Sequence, residues 1–251
     1  MGAFFMWKNR FFPAARTMGG LFLWSTTLVL IGALLFGQAA GIATSLPAET
    51  EGALTVVIDA GHGGEDGGAV GLNGVLEKDL NLQIATLLGE QLREAGVRVV
   101  YTRTEDKLLY TEEQNIRGQR KMWDLKNRLL VAKGEERAVL VSIHMNKYPS
   151  AAVSGLMTYY AENAESRALA LGIQSKVAAD FPAMKRRVPK AAGDNIYLLA
   201  HASCPAVLVE CGFLSHPEEC EKLSQKDYQK QLSFSLFCAM MEYIENDKGR
   251  S

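Results

Sequence analysis

The chain has 251 residues, of which 48% are hydrophobic and 22% are charged, and its formal net charge is −1. This length suits one sizeable domain rather than two, and the composition is that of an ordinary globular protein. Phosphate binding needs concentrated lysine and arginine, so the balanced charge argues against a nucleic-acid partner.

The first fifty residues differ from the rest of the chain. The basic residues end at Arg16, and residues 17–48 carry no charged side chain. An apolar run at residues 21–36 is followed by small residues, which is the pattern of a secretory signal. Extended to Ala43, the run approaches the roughly 20 residues that span a bilayer. A cleaved signal, a retained anchor and a buried core helix all fit this run, and we favour the anchor.

Export places the basic flank in the cytoplasm and the remainder of the chain outside. We therefore expect an exported protein with four segments. These are a cytoplasmic basic N-terminus (1–20), a transmembrane anchor or signal peptide (21–43), a linker (44–54) and a folded domain (55–247).

Apolar runs and helical periodicity alternate along the folded domain. Short apolar or β-branched runs predict strands, and apolar residues spaced by three or four predict helices. A glycine-rich loop (61–74) separates the first strand from the first helix. The predicted strands are residues 55–60, 97–103, 138–144, 155–160, 195–199 and 206–210, and the predicted helices are residues 77–95, 121–133, 165–179 and 226–245.

Strands that are apolar throughout and alternate with helices predict an α/β fold. We expect a single, mostly parallel or mixed sheet with helices on both faces. Ligands of such sheets bind beyond the carboxyl ends of the strands. His62, His144 and Glu210 each follow or end a predicted strand. The sequence therefore predicts that these three side chains meet at one edge of the sheet.

Two imidazoles and one carboxylate with an open fourth position form a common hydrolytic zinc site. Glu77 is the natural third ligand because it follows the glycine-rich loop and opens the first helix. Each residue also has an ordinary structural interpretation. His62 could be a loop residue without a role, His144 a strand-end residue satisfied by the backbone, and Glu77 an acid near a helix start.

Five motifs give the chain a family resemblance. VVIDAGHGGEDGGAVG, LEKD, VSIHMN, GLMTYY and PAVLVECGFLSHPEE resemble, in order and spacing, the zinc-dependent N-acetylmuramoyl-L-alanine amidases (type 3). The resemblance covers residues 56–244 and implies that residues 55–247 are a catalytic domain. It implies one zinc ion per chain, bound by His62, Glu77 and His144. It also implies that Glu210 is the catalytic residue.

The chain looks most like the spore-cortex amidases of endospore formers. That resemblance implies a peptidoglycan substrate, cut between N-acetylmuramic acid and L-alanine so that muramic lactam can form. It also implies a membrane or lipoprotein partner, a downstream deacetylase, and a location on the extracytoplasmic face of the cytoplasmic membrane or in the wall or cortex. Asn146 and Arg103 are candidate substrate contacts or supports of the ligands.

Two other functions remain open at this level. A zinc carboxypeptidase would use a similar ligand set, but it would need a basic residue for the terminal carboxylate, and the motifs hold no arginine beside His62, His144 or Glu210. A silent wall-binding module would not need all four candidate residues.

The four cysteines lie in the last fifth of the chain: Cys204, Cys211, Cys220 and Cys238. Two disulfides and a second zinc cluster with His201 and His216 are alternatives. We predict free thiols without a role in zinc binding or catalysis. Alternation along the strand should turn Cys211 away from the face that Glu210 uses.

Overall fold

The computed structural model describes residues 53–249. The predicted segments 1–20 and 21–43, and most of the linker, lie outside these residues. Between residues 53 and 249, no helix combines the length and the apolar character that crossing a bilayer requires. The structure therefore bears on the predicted folded domain alone.

Strands and helices alternate along the described chain. The strands are β1 (Thr55–Ala60), β2 (Arg98–Tyr101), β3 (Ala138–Asn146), β4 (Met157–Tyr160), β5 (Lys190–Ala191) and β6 (Ala206–Phe213). The helices are α1 (Glu77–Glu94), α2 (Arg120–Lys133), α3 (Ala164–Asp180), α4 (Tyr197–Ala200), α5 (Pro217–Leu223) and α6 (Lys226–Lys248).

The six strands form one sheet in the order β2-β1-β3-β6-β4-β5. The first four strands of this order are parallel, β4 runs antiparallel to β6, and β5 is parallel to β4. The predicted mixed α/β sheet is confirmed. The carboxyl ends of β1, β3 and β6 lie side by side, because these three strands are adjacent and parallel.

Apolar cores fill both faces of the sheet. On one face, α1, α3 and α6 pack against Ile58, Val141 and Val209. On the other face, α2 and α4 pack against Val57 and Leu140. Helices on both faces explain why β1, β3 and β6 read as continuous apolar runs rather than alternating ones.

The predicted strand at residues 195–199 is wrong. The chain there forms a 3₁₀ turn (Gly193–Asn195) and then α4, which buries Leu198 and Leu199 against the second core. A short apolar run fits a buried helix as well as a strand, so periodicity alone could not decide. Helix α5 was also missed, although His216 caps it and Pro217 occupies its first turn.

Candidate functional site

His62 lies two residues beyond β1, in the glycine-rich loop. Its φ is 61°, in the left-handed region that residues other than glycine seldom adopt. The buried Arg128 of α2 donates a hydrogen bond from Nη2 to the His62 carbonyl oxygen, at 2.6 Å. Arg128 also donates from Nη1 to the carbonyl of Ala60. One guanidinium thus binds the carbonyl of the last residue of β1 and the carbonyl of His62, and it fixes the start of the loop.

Arg103 supports the same loop from the end of β2. Its side chain is buried and donates from Nε to the Ala60 carbonyl at 2.8 Å and from Nη2 to the Gly61 carbonyl at 3.0 Å. Nη2 also reaches the carbonyl of Lys78, the second residue of α1, at 2.8 Å. Arg103 was a candidate for contacting the substrate or for supporting the ligands, and its hydrogen bonds are those of a residue that supports the loop.

Glu77 is the first residue of α1, and the glycine-rich loop folds over it. The Ala69 N–H donates to Glu77 Oε2 at 2.7 Å. A Cβ at Gly68, whose φ is +66°, would lie 2.6 Å from the same oxygen. Glycine at this position therefore lets the loop enclose Oε2, while Oε1 stays available to the histidines.

His144 enters the site from the end of β3. Its Nδ1 lies 3.0 Å from Glu77 Oε1, and the N–H of Met145 donates to that same oxygen at 3.1 Å. The ring packs against the backbone of Gly61, where a Cβ would collide with it. The loop after β1 and the end of β3 are thus close-packed through a glycine.

The His62, Glu77 and His144 side chains converge on one point. His62 Nε2 lies 3.2 Å from Glu77 Oε1, and the two imidazole rings meet edge to face with centroids 5.0 Å apart. One ligand atom from each of the three residues lies within 4.8 Å of the others, so the group could hold a metal ion. Asp66 Oδ2 lies 2.9 Å from His62 Nδ1 and orients the ring.

The charges of the cluster favour a cation. Burial alone would raise the pKa of Glu77, but His144 and His62 reverse this effect and hold the pKa well below its usual value. Burial would lower the pKa of His62, but the Glu77 and Asp66 carboxylates raise it. The site therefore stabilises positive charge between these side chains.

Glu210 faces the cluster from β6, where it pairs in register with His144. Its Oε2 is enclosed and has no hydrogen-bond partner among residues 53–249. Burial raises the pKa of Glu210 to about 7, an effect that His144 opposes. An enclosed carboxylate without a partner is costly in a purely structural role, and it is typical of functional sites. The predicted meeting of His62, His144 and Glu210 at one edge is confirmed.

The remaining predicted positions lie around this cluster. Asn146 is partly exposed at the end of β3, two residues beyond His144, as a substrate contact would require. Asn81 was not predicted from the sequence, but it is fully buried and donates from Nδ2 to the Gly61 carbonyl at 3.0 Å. Its position four residues after Glu77, on the same face of α1, was a usable signal.

The four cysteines are unbridged, as predicted. Cys211 is buried in the core opposite to Glu210, and burial raises the pKa of its thiol. Among residues 53–249, no cysteine belongs to a group that could hold a metal ion. His201 is exposed and stacks on Tyr197, with ring centroids 4.3 Å apart.

Comparison with known proteins places these residues in a family. Residues 56–240 match the family model described as N-acetylmuramoyl-L-alanine amidase. This chain belongs to the N-acetylmuramoyl-L-alanine amidase family. It is therefore a hydrolase with peptidoglycan N-acetylmuramoyl-L-alanine amidase activity, and the predicted enzyme class is confirmed.

Individual relatives of this amidase agree in sequence and fold. The germination-specific N-acetylmuramoyl-L-alanine amidase of Bacillus subtilis (strain 168) is 35% identical over 195 residues, which cover 77% of this chain and 81% of that protein. The CwlD amidase of Clostridioides difficile, solved in complex with the GerS lipoprotein, is 34% identical with a TM-score of 0.72, covering 76% of this chain and 98% of that one.

The catalytic domain of CwlV, an N-acetylmuramoyl-L-alanine amidase from Bacillus (Paenibacillus) polymyxa var. colistinus, is 32% identical. The two structures superpose with a TM-score of 0.66, and the match covers 76% of this chain and 98% of the CwlV domain. These matches extend over most of the described amidase domain, and they leave the carboxypeptidase and binding-module alternatives without support.

Proposed function

We propose that this amidase is zinc-dependent and cuts the bond between N-acetylmuramic acid and the L-alanine of the stem peptide during maturation of the spore cortex. The observation that carries the proposal is the convergence of His62, Glu77 and His144 beside Glu210, whose Oε2 has no hydrogen-bond partner among residues 53–249. We assign the first three as the ligands of one zinc ion per chain and Glu210 as the general base.

The donor set suits zinc. Two imidazole nitrogens and one carboxylate oxygen are ligand types that zinc prefers, and three protein ligands leave a position for a reacting molecule. Asp66 beside the second nitrogen of His62 is the kind of partner that orients a metal-binding imidazole. The lowered pKa of Glu77 keeps that ligand ionised at neutral pH.

The chemistry follows from this arrangement. When bound, zinc supplies Lewis-acid activation of the amide carbonyl and lowers the pKa of a water molecule towards about 7. Glu210 accepts the proton of the attacking water and passes it to the departing amine of L-alanine as the C–N bond breaks. Burial, which raises the pKa of Glu210 to about 7, suits a group that must both take and give a proton near neutrality.

The role in the cortex and the partners rest on similarity. A relative at 35% identity is named germination-specific, and CwlD was solved with a lipoprotein bound. By this similarity we propose a lipoprotein as partner. From the apolar run at residues 21–36 we propose a location outside the cytoplasmic membrane, anchored there or secreted to the wall or cortex. A deacetylase would act downstream on the peptide-free muramic acid.

Metal content tests the ligand assignment. The variants His62→Ala, Glu77→Ala and His144→Ala should each hold much less zinc than the parent after dialysis, measured as metal per folded chain. His201→Ala is the matched control, because His201 is exposed and lies outside the cluster, and it should hold one zinc ion. Zinc content equal to the parent's in all three ligand variants would contradict the proposal.

A further inference from the structure

A cluster of positive charge lies beside the proposed zinc site without a role in the mechanism above. Residues 185–190, which we call the basic arm, contain Lys185, Arg186, Arg187 and Lys190, and no acidic residue occurs between Phe181 and Gly193. Three of the four cations are exposed and Arg187 is partly buried. None of the four forms an ion pair with another described residue.

The sheet topology brings the basic arm to the edge that carries the zinc site. Because β4 is antiparallel to β6, with Met157 opposite Glu210, the chain before β4 extends beyond the carboxyl end of β6. The arm leads into β5, which is parallel to β4, so it approaches the sheet from the same edge. Gly155, with φ +95°, packs against the carbonyl of Lys185, and a Cβ there would collide with it.

Arg187 is held in a fixed position over this edge. Its Nε donates to the Ser154 carbonyl at 2.7 Å, and its guanidinium lies 4.8 Å from the centre of the Phe213 ring. A register shift in β6 sets Phe213 opposite Asn146. Cross-strand partners share a face, so Phe213 lies on the face that presents His144 and Glu210. Arg187 is thus preorganised on the zinc-site side, with its terminal N–H groups unpaired among residues 53–249.

The spacing matches a peptide that extends away from the cleaved bond. Ser154 precedes Met157, the partner of Glu210, by three residues, which span at most roughly 10 Å of chain. An extended peptide covers about 3.3–3.6 Å per residue, so the same length corresponds to two or three residues beyond the scissile amide. Tyr159 of β4 pairs with Lys190 of the basic arm, and its phenol is influenced by both Glu210 and Arg187. Burial and then Glu210 raise the pKa of its phenol, whereas Arg187 lowers it.

We infer that the basic arm is a binding subsite for a carboxylate of the stem peptide, two or three residues beyond the cleaved bond, and that Arg187 makes the principal contact. The inference rests on the proposed function, because it takes the zinc cluster as the place of cleavage. If these basic residues served only to face solvent, Arg187 would not need to be fixed by stacking on an aromatic ring and by a main-chain hydrogen bond. A planar guanidinium held in this way suits carboxylate recognition.

Binding of a product peptide tests the subsite without catalysis. The probes are a free stem peptide with carboxylates at its second and third residues and the same peptide with both of these groups amidated. Calorimetry should show that Arg187→Ala binds the carboxylate peptide about ten-fold more weakly than the parent does, as expected for loss of a charge-assisted hydrogen bond. The variant and the parent should bind the amidated peptide with equal affinity. Lys190→Ala, at an exposed position, should show a smaller loss in the same direction.

Lys230→Ala is the matched control, since Lys230 is an exposed cation on α6, which packs on the opposite face. Arg187→Lys should recover part of the affinity by keeping the charge. Equal affinity of the parent for both peptides, or unchanged binding in Arg187→Ala and Lys190→Ala, would overturn the inference.

Cleavage of the corresponding muramyl peptides separates this inference from the proposed function. We expect a preference of the parent for the carboxylate substrate that Arg187→Ala loses through a higher KM. If the parent cleaves both substrates equally, the subsite is wrong and the amidase assignment stands. If it cleaves neither with zinc present, but peptide binding still depends on Arg187 and the carboxylate, the catalytic proposal fails and the subsite stands.

Discussion

At the scale of single residues, His62 has an unfavourable backbone conformation, and its side chain must be placed accurately for the proposed metal site. A non-glycine residue in the left-handed region costs about 1–3 kcal/mol, and such residues cluster at functional sites. The hydrogen bond from Arg128 to its carbonyl and the carboxylates beside both ring nitrogens offset that cost. The sequence marked His62 as a candidate, but the side chains that hold it come from distant parts of the chain and could not be identified by spacing.

Glu210→Gln should separate metal binding from catalysis. The amide keeps the size of the side chain but cannot accept the proton, so turnover should fall by about 10²–10⁴ while zinc content stays at the parent's level. The measurement is the rate of peptide release together with metal analysis of the same preparation. Glu65→Gln is the matched control, because Glu65 is exposed in the glycine-rich loop and pairs with Arg120.

Turnover of Glu210→Gln within a few-fold of the parent would reassign the base. In that case Glu65 and Asp66, the two acids of the glycine-rich loop, would be the next candidates.

At the scale of elements, a buried polar network joins the strands and α2 behind the site. Asp59 of β1 accepts hydrogen bonds from Thr102, from Ser142 of β3 and from Arg128 of α2. Arg128 also pairs with Asp124 one helical turn earlier, at 2.8 Å. These paired charges hold the carboxyl ends of β1 and β3 against α2. His62 and His144 lie at those two strand ends.

Arg128→Met should destabilise the fold strongly. The substitution keeps much of the apolar volume but leaves Asp59 and Asp124 buried without their cation, which typically costs about 3–5 kcal/mol. Urea unfolding of the parent and variant measures this difference in the free energy of unfolding. The exposed Arg167→Met on α3 is the control and should change it by no more than about 0.5 kcal/mol. Equal losses in the two variants would contradict the account.

The same network predicts a pH dependence of stability. Burial would raise the pKa of Asp59, but Arg128 and the hydroxyls of Ser142 and Thr102 lower it from 3.8 to about 2. Between these values the unfolded chain binds a proton that the folded chain does not. The free energy of unfolding therefore decreases as the pH falls from about 4 to about 2, and the contribution of Asp59 is fully present above that range.

Asp59→Asn should reduce this pH dependence, measured as the difference in the free energy of unfolding between pH 5 and pH 3. The exposed Asp194→Asn should keep the parent's dependence. A parental pH dependence in Asp59→Asn would show that other carboxylates carry the acid sensitivity.

The sequence predicted some elements better than others for physical reasons. The long apolar runs of β1, β3 and β6 were recognisable because both faces of these strands are buried. Residues 195–199 were misassigned because four apolar residues fit either structure, and tertiary packing decided for α4. The edge strand β5 has only two residues, both exposed, and no sequence pattern marks so short a pairing.

At the scale of the whole molecule, the described domain relies on two apolar cores rather than on cross-links. The four cysteines are free, and Cys211 and Cys220 behave as small buried apolar side chains. The sequence predicted the sheet, the convergence of the candidate ligands and the free thiols. It did not predict the basic arm beside the site, because only the pairing of β4 with β6 brings residues 185–190 to that edge.

Thiol titration tests the state of the cysteines. Denatured, non-reduced protein should contain close to four free thiols per chain, because no pair is bridged. Replacing Cys204, Cys211, Cys220 and Cys238 with alanine or serine should leave zinc content and peptide release intact, although lost packing lowers stability. A thiol count near zero, or a zinc content of two per chain that falls to one in the substituted protein, would contradict this.

Digestion of purified peptidoglycan is the most direct test of the central claim, which is zinc-dependent hydrolysis of the muramic acid–alanine bond at the His62, Glu77, His144 and Glu210 cluster. Chelated protein, the same protein with zinc restored, and zinc-loaded Glu210→Gln are compared, and the new termini are identified. The account predicts new L-alanine amino groups with the zinc-restored parent alone. Shortened stem peptides without free L-alanine amines, or full release by the chelated protein, would contradict it.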